Sequence, residues 1–268
     1  MGTFGKHSFQ SVYQQPLPAE YFRSLAPLRY RCPDFTDDLL PTTIAEVRRR
    51  AGRKHLRVVD LACGYGINSA LLKCDLRFWD LAQHYGGAAH EALNPPEMIA
   101  RDSAFVRTAL ADADLTVIGV DVARAATDYA LATGLIDAAV NTNLERDDPT
   151  ACEASALAEA DLVLATGAFS YVGAATLNRV LALQDPAPVV LGWPIYGQPT
   201  AELEACLTDH HLTVTRPEPA PRHQRHFADS RERSAYHAAL RRNGLPYRGT
   251  AAETSLCVTP ILARPTPA

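Results

Sequence analysis

The segment Leu56-Arg57-Val58-Val59-Asp60-Leu61-Ala62-Cys63-Gly64-Tyr65-Gly66-Ile67-Asn68 constrains the fold more than any other stretch of this chain. Its first half is a short, nearly continuous apolar run without alternation, which marks a strand buried on both faces, as in a parallel sheet covered by helices. An acid closes the run, and a turn of small residues leads into a helical pattern over Ile67–Lys73. Gly64 and Gly66 allow positive φ and let backbone approach a ligand with no Cβ in between. A helix starting near Ile67 turns its unbonded N–H groups toward the same space. In an open parallel sheet, ligands occupy the crevice beyond the carboxyl ends of the strands.

The pattern recurs. Thr116-Val117-Ile118-Gly119-Val120-Asp121 is a second buried strand that delivers a carboxylate to the same edge. Strands are expected at Leu56–Leu61, Leu115–Val120, Ala138–Asn141, Asp161–Ala165, Pro188–Gly192, Leu212–Thr215 and Leu256–Leu262. Helices are expected at Ile67–Lys73, Ala123–Thr133, Cys152–Ala160, Ala174–Leu183, Ala201–Thr208 and Ser230–Asn243. This alternation predicts a doubly wound, mostly parallel seven-stranded α/β sheet of Rossmann-like form, whose tail adds an antiparallel strand. Two stretches fall outside the rhythm. Residues 1–51, ending in a helical Pro41–Ala51, read as a cap or lid, and residues 75–114 as a helical insertion after the first strand–helix unit. Both are read as elaborations of one domain spanning residues 1–268.

Composition narrows the function. The net charge of −4 argues against a partner held by bulk attraction to a polyanion. Only Lys6, Lys54 and Lys73 are lysines among 26 basic residues, the mark of a GC-rich coding sequence. Arg222, Arg225, Arg231, Arg233, Arg241 and Arg242, interrupted by Asp229 and Glu232, read as a solvated helix face, and nucleic acid is not the expected partner. The longest uncharged stretch, between Asp161 and Arg179, is too polar and short for a membrane span. The start has no signal-peptide run, so the expected compartment is the cytoplasm. Six cysteines without a C-x-x-C pair suit free thiols. His210–His211 and His223-x-x-His226 lack partners at ligand spacing, so no metal site is expected.

An acid at the end of the second strand is placed to accept both hydroxyls of a ribose. A dinucleotide fingerprint is the rival, but Ser69 replaces its third glycine. The acid at the expected distance, Asp80, follows no strand, whereas Asp121 stands 61 residues after Asp60. At these residues the chain resembles the class I S-adenosylmethionine (SAM)-dependent methyltransferases, whose first motif is an acid followed by G-x-G-x-G; Ala62 stands where the first glycine usually does. The resemblance implies SAM as cofactor and S-adenosylhomocysteine as product. Its cofactor-binding positions here are Asp60, Ala62, Gly64, Tyr65, Gly66, Asp121 with Val122, Asn143-Leu144-Glu145 after the third strand, and Thr166, Gly167 and Phe169 after the fourth. Tyr21-Phe22, Leu28-Arg29-Tyr30, Tyr171-Val172-Gly173 and Gln224 to Asp229 carry a looser likeness to a bacterial subgroup of little assigned function.

Phe169, Tyr171 and Tyr65 are placed in sequence to offer aromatic faces to a sulfonium. Tyr21, Tyr30, His84, Tyr85, His90 and Glu91 are the candidates for the substrate side. His84 is the candidate base, because an imidazole titrates near neutrality, and Tyr171 is the second catalytic candidate. Ser170 has no G-x-S-x-G elbow, which sets nucleophilic serine chemistry aside. The expected activity is O- or N-methylation of a small-molecule acceptor in bacterial natural-product biosynthesis. The alternatives are a SAM-fold enzyme of other chemistry, such as cyclisation or elimination including aziridine formation, and a SAM-binding subunit supporting a partner protein. A homo-oligomer and a hetero-partner are both compatible with the sequence.

Overall fold

Strands β1 (Leu56–Leu61), β2 (Leu115–Val120), β3 (Ala138–Val140), β4 (Leu162–Ala165) and β5 (Val189–Gly192) pair in parallel in the order β3-β2-β1-β4-β5. The computed structural model describes His7 and residues 9–31, 36–74, 76–86, 94–218 and 220–266. Two further strands, β6 (Leu212–Thr215) and β9 (Ile261–Pro265), complete a seven-stranded sheet: β9 runs antiparallel between β5 and β6. The order reverses between β1 and β4, which opens the crevice where ligands bind in such sheets.

Both faces of the sheet are covered, which is why its strands read as unbroken apolar runs. Leu56, Val58, Val117, Leu162 and Leu191 point to one core, and Val59, Leu61, Ile118, Val163 and Val190 to the other. The first core is closed by α1 (Ala19–Leu25), α2 (Thr36–Ala51), α3 (Ile67–Lys73), α4 (Phe78–Gly86), α5 (Pro95–Ala109) and α6 (Arg124–Ala132). The second is closed by α7 (Ala151–Leu157), α8 (Ala174–Leu181) and α9 (Ala201–Asp209). The doubly wound α/β expectation therefore holds. The N-terminal helix starts earlier than expected and carries Pro41 inside it, and the 75–114 insertion supplies α4 and α5. Among the described residues no helix is long and apolar enough to cross a membrane.

Two expectations about the C-terminal third are corrected. The single strand expected at Leu256–Leu262 is two: β8 (Ser255–Val258), and then β9 after the Thr259-Pro260 break. β8 pairs antiparallel with β7 (Arg222–His226) in a separate two-stranded sheet. Arg222 and Arg225 thus belong to a strand, and only the later arginines lie on a helix, α10 (Ser230–Arg242). Arg225 is not solvated at all, being 1% exposed.

Candidate functional site

A cavity of about 450 Å³ opens at the carboxyl edge of the sheet. Its floor comes from the segments after β1 (Ala62–Asn68), β2 (Val120–Ala123), β3 (Thr142–Arg146) and β4 (Thr166–Gly167). Its cover comes from the N-terminal segment at Phe9–Gln14, Tyr21 and Tyr30, and from Gln224 and Arg225 of β7.

The turn after β1 alternates its handedness. Ala62, Gly64 and Gly66 have φ of 55°, 53° and 75°. Both conformations favour glycine, and a Cβ would stand 2.7 Å from Tyr13 Cε1 at Gly64, where the ring would have to move, and 3.0 Å from Leu135 Cβ at Gly66, a tight contact. Ala62 holds a left-handed conformation at a cost of roughly 1–2 kcal/mol, and it forms part of the cavity wall.

Asp121 locks this turn to β2. Gly64 N–H donates to its Oδ2 (2.9 Å) and Ala123 N–H to its Oδ1 (2.8 Å). Burial raises its carboxyl above the usual range, against the pull of these two donors. Each oxygen keeps lone pairs for a further donor, and the residue lines the cavity. Asp60 behaves differently. It is fully buried, lies outside the cavity wall, and accepts from Asn68 Nδ2 at 3.1 Å. Burial pushes its carboxyl up to about 7; Asn68 opposes this and the Asp121 charge adds to it. The expectation of a direct ligand contact is corrected for Asp60, which instead fixes Asn68, a residue of the wall.

The turn after β3 is held from below by α7. Glu153 accepts from the N–H groups of Asn141 (3.2 Å) and Thr142 (3.1 Å), and from Thr142 Oγ1 (2.7 Å). Partial burial alone would raise its carboxyl, but the donors of Thr150 and Thr142 bring it to about 2. Asn143, Leu144 and Glu145 are thereby presented to the cavity. Glu145 is committed to α8, accepting from Gly173 N–H (2.6 Å) and Thr176 Oγ1 (2.6 Å) with one oxygen, Oε1.

The expected cofactor positions Ala62, Tyr65, Asp121, Val122, Asn143, Leu144, Glu145, Thr166 and Gly167 converge on this cavity. Gly64 and Gly66 act through backbone shape just behind it. Phe169 does not reach it: its ring is buried against Gly192 within the second core. Tyr65 donates its hydroxyl to the carbonyls of Val12 (2.6 Å) and Gln15 (2.8 Å), so it also ties the N-terminal segment down.

Tyr21 and Tyr30, candidates for the substrate side, line the cavity, as does the catalytic candidate Tyr171, whereas His90 and Glu91 lie outside the described residues. His84 and Tyr85 are corrected. His84 Nε2 lies 2.8 Å from Asp102 Oδ1 and its ring stacks on Phe105 at 4.0 Å. Tyr129 donates to Asp102 Oδ2 (2.9 Å), and Tyr85 meets Tyr129 hydroxyl to hydroxyl at 2.5 Å. This buried network fastens α4 and α5 to α6. Neither His84 nor Tyr85 belongs to the cavity wall.

Sequence reasoning missed Phe9, Gln10, Tyr13, Gln14, Gln224 and Arg225 as wall residues. Arg225 makes a two-pronged bond to Glu232, Nη1 to Oε2 at 2.7 Å and Nη2 to Oε1 at 2.5 Å, with both side chains 1% exposed. Glu232 also accepts from His7 N–H, and the Arg225 guanidinium lies 5.2 Å from the Phe9 ring centre. The pair therefore anchors the cover of the cavity. The aromatic spacing at Phe9, Tyr13 and Tyr21 was the available signal for that cover. Nothing in local periodicity joined Arg225 to Glu232, which belong to different elements.

No protein-family model matches the chain, and no curated protein matches it. Among solved structures it is similar to a TehB-like SAM-dependent methyltransferase from Corynebacterium glutamicum, at 11% identity over 82% of this chain and 85% of that one, with a TM-score of 0.41. It is similar to magnesium protoporphyrin IX methyltransferase from Synechocystis with bound SAM, at 12% identity over 83% and 77% of the chains, TM-score 0.39. A cyclopropane-fatty-acyl-phospholipid synthase-like protein from Lactobacillus casei is similar at 14% identity over 82% and 88%, TM-score 0.40.

Proposed function

We propose that this chain is a single-domain SAM-dependent methyltransferase acting on a small-molecule acceptor, with O- or N-methylation in bacterial natural-product biosynthesis as its setting. The observation that carries the reading is the convergence on one covered cavity of the turn over residues 62–66, Asp121 and Thr166. The residues fit the cofactor on a feature of the wall itself: Thr166 Oγ1 is buried there without a hydrogen-bond partner. A buried hydroxyl left unpaired costs about 1–3 kcal/mol, which a polar ligand would recover.

When bound, SAM supplies an electrophilic methyl group. Asp121 would accept the ribose hydroxyls, while the turn over residues 62–66 and Thr166 would border the methionine portion. The Asn143–Glu145 turn and the exposed Val122 would border the adenine. The aromatic cover excludes water and holds the acceptor in line. Positioning of this kind lowers a barrier by up to roughly 7–11 kcal/mol without a strong acid or base. Tyr171, a half-exposed residue of the cavity wall, is the polar group for a proton of the acceptor. Phe9, Gln10, Tyr13 and Gln14 of the N-terminal segment line the cavity together with the sheet edge, and this enclosure supports a small acceptor over a polymer.

Calorimetric titration with SAM and S-adenosylhomocysteine tests the cofactor. The wild type is expected to bind both, and Asp121→Asn to bind 10- to 150-fold more weakly, the worth of about 1.5–3 kcal/mol for charged hydrogen bonds. Absence of SAM binding, or an Asp121→Asn variant that binds like the wild type, would overturn the reading. Label carried from methyl-labelled SAM into product separates methyl transfer from cyclisation or elimination.

A further inference from the structure

The cavity wall holds a second buried polar atom without a partner, Gln224 Oε1. Gln224 is 1% exposed and comes from β7, outside the large sheet. Its backbone carbonyl accepts from Arg31 N–H at 2.8 Å, and neighbouring His223 Nε2 lies 3.0 Å from Arg29 O. These contacts tie the strand that carries Gln224 to the chain on either side of Tyr30, and both residues line the cavity. From there the aromatic wall is continuous: Tyr30 to Tyr21 at 6.5 Å between ring centres, Tyr21 to Tyr13 at 5.6 Å, and Tyr13 stacked on Tyr65 at 5.9 Å.

Such a wall favours a flat, apolar partner that makes offset or edge contacts with tyrosine rings. The polar inventory says more. The two carboxylates among the described wall residues, Asp121 and Glu145, are held at the sheet edge by Gly64 and Ala123 and by Gly173 and Thr176. Arg225 is neutralised by Glu232. Apart from Asp121, Glu145 and the exposed Arg146 of the turn after β3, the described wall residues therefore offer neither a carboxylate for an ammonium nor an unpaired cation for an acid. Away from Thr166, what the wall offers is one uncharged acceptor oxygen that is buried and unbonded, Gln224 Oε1.

We propose that Gln224 is a specificity-determining residue: its side-chain carbonyl accepts a hydrogen bond from a neutral O–H or N–H on an aromatic acceptor whose ring lies against Tyr21 and Tyr30. The assignment rests on the reading of this cavity as the methyl-transfer site and names the substrate class for it. A site built to bond a donor rejects the analogue that lacks one, because its own polar atom is then left buried and bare.

Binding of 2-naphthol, 2-methoxynaphthalene and cyclohexanol to the full chain, with and without S-adenosylhomocysteine, tests this. The wild type is expected to bind 2-naphthol about tenfold or more tightly than either of the others, the first deficit reporting the lost donor and the second the lost ring. Gln224→Met keeps the reach of the side chain and removes the oxygen. It is expected to erase the preference for 2-naphthol over its methyl ether, to leave S-adenosylhomocysteine affinity unchanged, and not to lower the Tm of the ligand-free protein. Equal binding of 2-naphthol and 2-methoxynaphthalene by the wild type, cyclohexanol binding as tightly as 2-naphthol, or a preference that survives Gln224→Met would overturn the proposal. The comparison of probes on the wild type needs no variant to fold. Failure of S-adenosylhomocysteine to bind would instead overturn the cofactor reading, which the arms without it keep separate.

Discussion

Glu232→Gln leaves the Arg225 guanidinium in a site where each partner was 1% exposed. Breaking one side of a buried ion pair costs roughly 3–5 kcal/mol, because the remaining charge stays buried without compensation. The lower part of that range is expected here, since Arg225 keeps the His226 carbonyl at 2.9 Å and the Phe9 ring at 5.2 Å. Arg225→Met strands the carboxylate instead, which retains the N–H groups of Ala228 (2.8 Å) and His7 (2.7 Å) near the start of α10; a similar loss of about 3 kcal/mol is expected. The double variant Arg225→Met/Glu232→Met removes both charges and should lose less than either single change, with a coupling of about 2–3 kcal/mol.

Urea denaturation followed by far-ultraviolet circular dichroism measures all four proteins. At about 2–4 °C per kcal/mol, each single variant should also melt roughly 6–12 °C below the wild type. The pH dependence has a definite sign. Burial alone would raise the Glu232 carboxyl, but the Arg225 bonds outweigh it and hold it below the ordinary 4.5. The contribution of the pair is therefore present above that value and lost as pH falls through the lower folded one. Glu232→Gln should lack this acid-side loss. Single-variant costs below 1 kcal/mol that simply add in the double variant would refute the reasoning, since they would mean the pair is solvated.

Asp60 gives the opposite slope. Its folded carboxyl titrates near 7 against an ordinary 3.8, so the folded state binds the extra proton between those values and stability falls as pH rises across them; Asp60→Asn should remove that component from the denaturation midpoint measured between pH 4 and 8. His84→Ala should cost about 1–3 kcal/mol, because fully buried Asp102 loses one of its bonds. It should leave SAM affinity within twofold of the wild type; a loss of affinity without a loss of stability would return His84 to the site.

The strand–acid–turn pattern at Val58–Gly66 and its echo at Val117–Asp121 were legible because both are local. A strand covered on two faces must be apolar throughout, and a turn that reverses its handedness needs residues such as Gly64 and Gly66. Order along the chain then put Asn143, Thr166 and Gly167 at the same sheet edge. The same local logic failed at Phe169, where position after β4 said nothing about which way the ring turns; packing over Gly192 decided that. His84 had suitable chemistry, but its surroundings come from α5 and α6, and these make it a partner of Asp102.

By itself, then, the sequence determined a doubly wound α/β sheet with Asp121 at its carboxyl edge, because burial on two faces and left-handed turns are written in consecutive residues. Only the tertiary structure decided what covers the cavity. Phe9, Tyr13, Tyr21 and Tyr30 share its wall with Gln224 and Arg225, some two hundred residues further along, and the two segments are joined by the Arg225–Phe9 contact and by hydrogen bonds from His7 to Glu232 and from Arg31 to Gln224. Contacts at such separation leave no period in a sequence, since each depends on where whole elements come to rest and not on the residues beside it.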